Sequence, residues 1–306
     1  MVLWEEVCPY NAACVVHLRG RAEFTALREA IQESCRLSGV GKLLLNGDRK
    51  TYYYEPVDTI PLDQIQRGDS IMETLCQVVT ERINTPFPSR PHHPIRWAVL
   101  DDSHTNTHFF LIVWRHLAAD AVSMFLLLRC VLARYYGVTQ TFSHHALEVH
   151  PPDYLRVMKP HYRQLGYTRT LLRSIRLYFR LRRVYRLPEL TERREGSRVL
   201  FFDAPADLIH RLIGACRTRH VTVNDSFLAA LGSALAAITP SRQTQQRRNR
   251  LALATAVDIR HVAAEDLSDC FGLFARYWVT MIGNPDLSDF EGMLHDVARQ
   301  TRLEKA

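Results

Sequence analysis

Six consecutive apolar residues, FFLIVW from Phe109 to Trp114, leave this chain few ways to fold. Successive side chains of a strand point to opposite faces, so a sheet with one wet face would put polar residues at alternate positions. None occurs here, and the run predicts a central strand covered on both sides. A second apolar run, IRWAVL, lies just upstream, and the polar stretch Asp101 to Thr107 between the two predicts an antiparallel pair.

A strand covered on both faces needs helices to cover it, and the sequence supplies them. AACVVHLRG reads as a strand closed by Gly20, followed by a helix in which Phe24, Leu27, Ile31 and Cys35 recur at helical spacing. Asn46-Gly47 between a leucine run and a tyrosine run predicts a hairpin, and SIMETLCQVVTERI a helix. From about Asp120 a helix runs to Tyr136 and stops at Gly137. Farther on, SRVLFFDAP reads as a strand and ADLIHRLIGACRTRH as a helix. VTVNDSFLAALGSALAAI reads as a second helix with Thr222 and Asp225 in capping-box positions. RLALATAVDIR and ARYWVTMIG read as strands, and LSDFEGMLHDVARQTR as a closing helix. Strand followed by helix thus opens twice, at Ala12 and at Ser197, without a residue-level repeat. The fold class is α/β, as two-layer sandwich lobes. The boundaries are an N-terminal lobe over 1–155, a basic connecting segment over 156–196 and a partial C-terminal lobe over 197–306.

The 306 residues, 47% hydrophobic and 23% charged, suit a globular protein with a large core. No stretch of about 18 uncharged apolar residues predicts a spanning helix. The N-terminus carries Glu5 and Glu6 and lacks the basic and apolar regions of a secretory signal, so the expected location is the cytoplasm. The seven cysteines are scattered, mostly in apolar context, with no C-x-x-C pair, and read as reduced packed thiols.

The net charge of +7 is concentrated. Between Leu155 and Arg198 thirteen basic residues face three glutamates, so the rest of the chain is slightly acidic. Within that segment a helix is expected over Thr170 to Arg186, ended by Pro188. Leu171, Ile175, Tyr178 and Tyr185 lie on one face and Arg173, Arg176, Arg180 and Arg183 on others. Such a helix suits a membrane surface or an acidic partner, or it is a solvated connector packing on its own lobes. No aromatic stacking platform or nucleic-acid module accompanies it, so nucleic acid is not expected as a partner.

The candidate catalytic group follows the apolar strand. In WRHLAAD, His116 ends the run and Asp120 opens the next helix, where the helix dipole favours a carboxylate and its oxygens can fix the turn. A neutral histidine there can take a proton from an alcohol, amine or thiol. Two other histidine groups carry less. His144, His145 and His150 have neither zinc-site spacing nor accompanying cysteines and read as a solvated turn, so no metal is expected. His92-His93 is followed by Pro94 with no Asp-Gly at the right distance.

These segments together resemble the condensation-domain acyltransferases, the superfamily of nonribosomal peptide condensation domains, wax ester synthases and chloramphenicol acetyltransferase. NTPF, a Pro-Ile segment opening a strand, a polar hairpin, the apolar strand, RHLAADA and a helix ending in Tyr-Tyr-Gly follow the order around the HHxxxDG motif. VTVNDSF is similar to the family's T-x-N-D helix start, VDIR to its V-x-x-R strand end and CFGLFARYWV to its G-x-F-x-N segment. The resemblance covers most of the chain from about Ala12.

It implies a chloramphenicol acetyltransferase-like fold of two similar lobes with a tunnel between them. An acyl thioester, on coenzyme A or a carrier protein, would enter from one side and a hydroxyl or amine acceptor from the other. By position His116 matches the catalytic histidine and Asp120 the structural aspartate. Arg260 matches an arginine expected to pair with Asp120. No tightly bound cofactor is implied; the thioester is a co-substrate.

Three features depart from the pattern. Arg115 replaces the first histidine, and Ala121 replaces the glycine, where a β-carbon would crowd the turn or narrow the tunnel. The C-terminal DFGWG motif is missing, since DFEG at Asp289–Gly292 reads as a helix cap, and the second lobe is expected to be incomplete. Two functions follow from these readings. One is an acyltransferase with His116 as general base; the other is a silent module docking a carrier protein or membrane surface through the basic helix.

Overall fold

The structure, a computed structural model, describes residues 9–46, 52–66, 70–102, 104–138, 145–146, 159, 167–186, 196–244, 247–283 and 289–305. The chain forms two compact units that do not follow sequence order. Unit 1 comprises Met1–Arg163, Arg194–Phe201 and Asp258–Ala275; unit 2 comprises Gln164–Arg193, Phe202–Val257 and Arg276–Ala306.

Unit 1 is built on a four-stranded sheet in the order β1 (Asn11–Arg19), β6 (Thr107–Arg115), β5 (Ile95–Asp102), β4 (Leu62–Ile65). β6 is antiparallel to both neighbours, with Val15 opposite Leu111 and Val99 opposite Phe110, while β4 runs parallel to β5. The unbroken apolar run sits where its composition requires. Phe110, Ile112 and Trp114 pack with Leu27 and Ile31 of α1 (Phe24–Ser38) and with Leu127 and Val131 of α3 (Ala121–Tyr135). Leu111, on the other face, packs with Leu75 and Val79 of α2 (Ile71–Asn84). Burying such side chains contributes about 1.5–3 kcal/mol each, which makes this strand the centre of unit 1.

The helix ends follow local chemistry. Ser70 caps α2 by accepting a hydrogen bond from Glu73 N, and the chain leaves α3 through Gly137 in the left-handed region at φ 65°. The leucine and tyrosine runs pair as β2 (Lys42–Leu45) and β3 (Tyr52–Glu55), Lys42 opposite Glu55. Two-residue strands β7 (His145–Ala146) and β9 (Cys270–Phe271) pair in parallel.

Unit 2 contains α4 (Tyr167–Leu181), α5 (Ala206–Thr218), α6 (Val223–Ile238), α7 (Phe290–Lys305) and the paired strands β8 (Leu251–Asp258) and β10 (Ala275–Ile282), apart from the ends at Asp258 and Ala275. Its core joins Leu228 and Ala229 of α6, Val297 and Ala298 of α7, and Leu251 and Ile282. The capping box forms: Thr222 Oγ1 accepts from Asp225 N and Asp225 Oδ2 from Thr222 N. Asp225 is buried, and its other oxygen accepts from Thr301 Oγ1 at 2.7 Å, tying α6 to α7. DFEG is a helix start in which Asp289 Oδ1 accepts from Gly292 N.

Three readings of the sequence need correction. Residues 197–205 form no strand; Val199 N donates to Thr80 Oγ1, and Leu200 and Phe202 are exposed. The basic helix spans Tyr167–Leu181, so Tyr185 lies beyond it and shares no helical face with Leu171. Instead, Tyr185 N donates to Arg250 O, and the residue packs on the core of unit 2. The strand β4 was not anticipated, because LDQI has apolar residues only at its ends. His144 and His150 lie outside the described residues.

Candidate active site

His116 sits in the tight turn between β6 and α3. The turn is fixed by main-chain bonds on three sides: Ala118 N to Arg115 O, His116 N to Tyr10 O, and Asp120 N to Gly272 O. Tyr52 Oη donates to Ala118 O, and Ala118 and Ala119 are buried, so side chains larger than methyl would not fit the turn unchanged.

The imidazole is oriented by two contacts. His116 Nδ1 lies 3.0 Å from Ala119 O, and a carbonyl oxygen can only accept, so Nδ1 bears the hydrogen. In the neutral ring the lone pair is therefore on Nε2, which makes no hydrogen bond among the described residues. Ala119 O also accepts from Trp114 Nε1 at 2.9 Å, which holds the carbonyl in place. The Tyr10 ring stacks on the imidazole with centroids 5.0 Å apart and planes at 8°.

Asp120 does different work. Its carboxylate caps α3 by accepting from Ser123 N at 2.8 Å, and Oδ2 accepts from Phe274 N at 2.7 Å. Arg260 closes a fork on it, Nη1 to Oδ2 at 3.0 Å and Nη2 to Oδ1 at 3.1 Å, with both side chains buried. None of these bonds goes to His116, so the aspartate holds the turn and does not form a carboxylate–histidine pair.

Arg260 is itself held from several sides. Nη1 also donates to Asp258 Oδ1, Nη2 to Ser123 Oγ and Cys270 O, and the guanidinium lies 4.4 Å from the centre of the Phe274 ring. Ser123 Oγ donates to Gly272 O and accepts from Gly272 N and Arg260 Nη2, using its whole hydroxyl capacity. Both terminal nitrogens of Arg260 are thus spent on acceptors, while its Nε is buried without a hydrogen-bond partner among the described residues, so the pair is matched at the fork and not throughout.

The structure thus puts His116, Asp120 and Arg260 around one turn. Arg115 ends β6 and is buried, its N donating to Pro94 O. Ala121 is the first residue of α3 and is exposed, so its β-carbon does not crowd the turn. Arg173, Arg176 and Arg180 lie on α4 and Arg183 just after it, in unit 2. Sequence reasoning missed Tyr10, Ser123 and Asp258, and it singled out the segment of Gly272 and Phe274 without assigning either a role. Asp258 was within reach, two residues before Arg260 in VDIR; Gly272 and Phe274 lie in CFGLFARYWV, where Gly272 meets Ser123 and Phe274 gives its N–H to Asp120 and its ring to Arg260. A cleft of about 990 Å³ runs along α2, lined by residues that include Cys76, Thr80, Asn84, Val199 and Phe201 but not His116.

No family model matches the chain, and no curated protein matches it. Solved structures do. The first condensation domain of the calcium-dependent antibiotic synthetase, in complex with a substrate analogue, superposes with a TM-score of 0.72 at 15% identity. The match covers 98% of this chain and 71% of that one. The chain has the condensation-domain fold. A structure of condensation domain-mediated chain release from the enacyloxin polyketide synthase matches with a TM-score of 0.58 at 17% identity, over 96% of this chain and 56% of that one. The complex of the X-domain and OxyB from teicoplanin biosynthesis matches with a TM-score of 0.53 at 18% identity, over 96% of this chain and 65% of that one.

Among the described residues no group of histidine, cysteine and carboxylate side chains could hold a metal. No single described helix is long and apolar enough to cross a membrane. Only α5 and α6 together, bent by 100° at their junction, pass by length and composition.

Proposed function

We propose that the chain is an acyltransferase that moves an acyl group from a thioester, on coenzyme A or a carrier protein, to a hydroxyl or amine, with His116 as general base. The observation that carries this reading is the bond from His116 Nδ1 to Ala119 O, which leaves the Nε2 lone pair for a substrate proton. An acceptor bonded to Nε2 gives up its proton as its oxygen or nitrogen attacks the thioester carbonyl carbon. The tetrahedral intermediate then expels the thiolate, which takes the proton from the imidazolium. Ester or amide and free thiol leave, and the ring is neutral again. Backbone amides of the turn are the candidate donors to the oxyanion. The steps use no metal, no tightly bound cofactor and no covalent enzyme intermediate. With such co-substrates, the cytoplasm is the location this reading proposes.

The test is acyl transfer from a panel of coenzyme A and carrier-protein thioesters by the wild type and by His116→Ala. Transfer by the wild type that falls to background in the variant is the expected result. Equal background activity in both would remove the enzyme reading.

A second reading has its own support. Arg115 stands where the family motif has its first histidine, and the X-domain neighbour was solved bound to OxyB, so a chain of this fold can act as a docking module for a protein. Binding of an acidic carrier protein that survives His116→Ala, in a chain without transfer activity, is what this reading expects.

A further inference from the structure

Helix α4 has two faces that do not mix. At 3.6 residues per turn, Leu171, Leu172, Ile175, Tyr178 and Phe179 fall within an arc of about 120°, Leu177 and Leu181 widen the apolar side to about 220°, and Arg176 and Arg180 lie in the remaining sector. The apolar arc is open: Leu171, Leu172, Tyr178 and Phe179 are 51%, 66%, 59% and 57% exposed. No residue of α4 belongs to any hydrophobic core cluster among the described residues. Between residues 156 and 188 there are ten arginines and lysines and no aspartate or glutamate.

We infer that α4 is a membrane-surface helix that lies in the headgroup layer of an anionic bilayer. The inference does not depend on the acyl-transfer reading. An acidic protein would pair with the arginines and leave the apolar arc, on the other side of the helix, in water. A lipid surface satisfies both at once. The leucines and aromatic rings sink to the acyl boundary, and the arginines extend along the helix flanks to lipid phosphates. Charge of a single sign over so long a stretch suits a partner that is uniformly negative, since there is no opposite charge on it to match.

Vesicle sedimentation tests this, using the full chain with vesicles of phosphatidylcholine alone or mixed with phosphatidylglycerol. The expected result is binding to the mixed vesicles only, weakened by salt. Arg176→Gln with Arg180→Gln should lower partitioning about fivefold for each charge removed. Ile175→Asp with Phe179→Asp changes the net charge by the same two units and also removes the apolar contact, so it should abolish binding where the arginine pair only lowers it about 25-fold. Both Ile175 and Phe179 are exposed, and circular dichroism checks that the variant is folded. His116→Ala should bind as the wild type does, so the outcome stands apart from the transferase assay. Three results would overturn the inference: no binding to anionic vesicles, equal binding to both vesicle types, or binding that survives the two aspartates. Capture of an acidic carrier protein by α4 without vesicle binding would overturn it in favour of a protein partner.

Discussion

Arg260 and Asp120 meet in a two-bond fork, 3.0 and 3.1 Å, across 140 residues of sequence, and both side chains are buried. Removing either partner leaves the other charge enclosed. Asp120→Ala and Arg260→Ala are each expected to cost about 3–5 kcal/mol in urea unfolding. Asp120→Asn keeps an oxygen for the Ser123 amide and should fall between wild type and alanine. A loss below about 1 kcal/mol in both alanine variants, the range of an exposed pair, would show that the pair is solvated in solution.

His93 predicts an acid-sensitive fold. Burial is the main cause that pushes its imidazole down from 6.5 to about 4. Between those values the unfolded chain binds a proton that the folded chain refuses, so stability falls as pH drops from about 6.5 to about 4. The full effect is of the order of 3 kcal/mol. His93→Asn should flatten the stability profile over that window, and an unchanged slope would assign the acid sensitivity to other groups.

The stack of Tyr10 on His116 predicts a positioning effect. Tyr10→Leu leaves the main-chain bond to His116 N but removes the ring that lies against the imidazole. Losing an aromatic contact of this kind is worth up to about tenfold in rate. Tyr10→Phe should retain the rate. Nitrogen NMR of the His116 ring provides a readout beyond activity: the Nδ1–H tautomer should be retained in Tyr10→Phe and mixed in Tyr10→Leu.

Gly232 on α6 packs close to β10. A β-carbon there would lie 2.2 Å from Ile282 Cδ1, so the isoleucine must turn away. Gly232→Ala should cost about 1–3 kcal/mol through overpacking, less what alanine gains as a helix former. Ile282→Val removes the clashing methyl. The double variant should therefore be more stable than Gly232→Ala alone, a non-additivity that thermal unfolding can read.

The part of this architecture that rests on periodicity was legible in the sequence. FFLIVW demanded cover on both faces and has it, and Thr222 with Asp225 announced a helix start that forms as a reciprocal cap. What failed were segments whose pairing is not decided by their own residues. SRVLFF has strand composition but finds Thr80 and Asn84 of α2 as partners in place of a neighbouring strand. LDQI has little strand composition but is recruited to the open edge of β5. At the histidine turn, residue type led to His116, Asp120 and Arg260. Ser123 was hidden as an ordinary first-turn serine, and its role exists only because Gly272 and Arg260 come to it.

The placing of Arg260 and Phe274 also sets an order of events during synthesis. A ribosome delivers the histidine turn and its buried carboxylate 140 residues before the guanidinium that neutralises it, and 154 before the Phe274 amide. Until residues 258–275 emerge, the nascent first unit carries an uncompensated negative charge at its core and has an incentive to stay open there. The turn that holds His116 is thus finished late, by chain made long after the strand that precedes it.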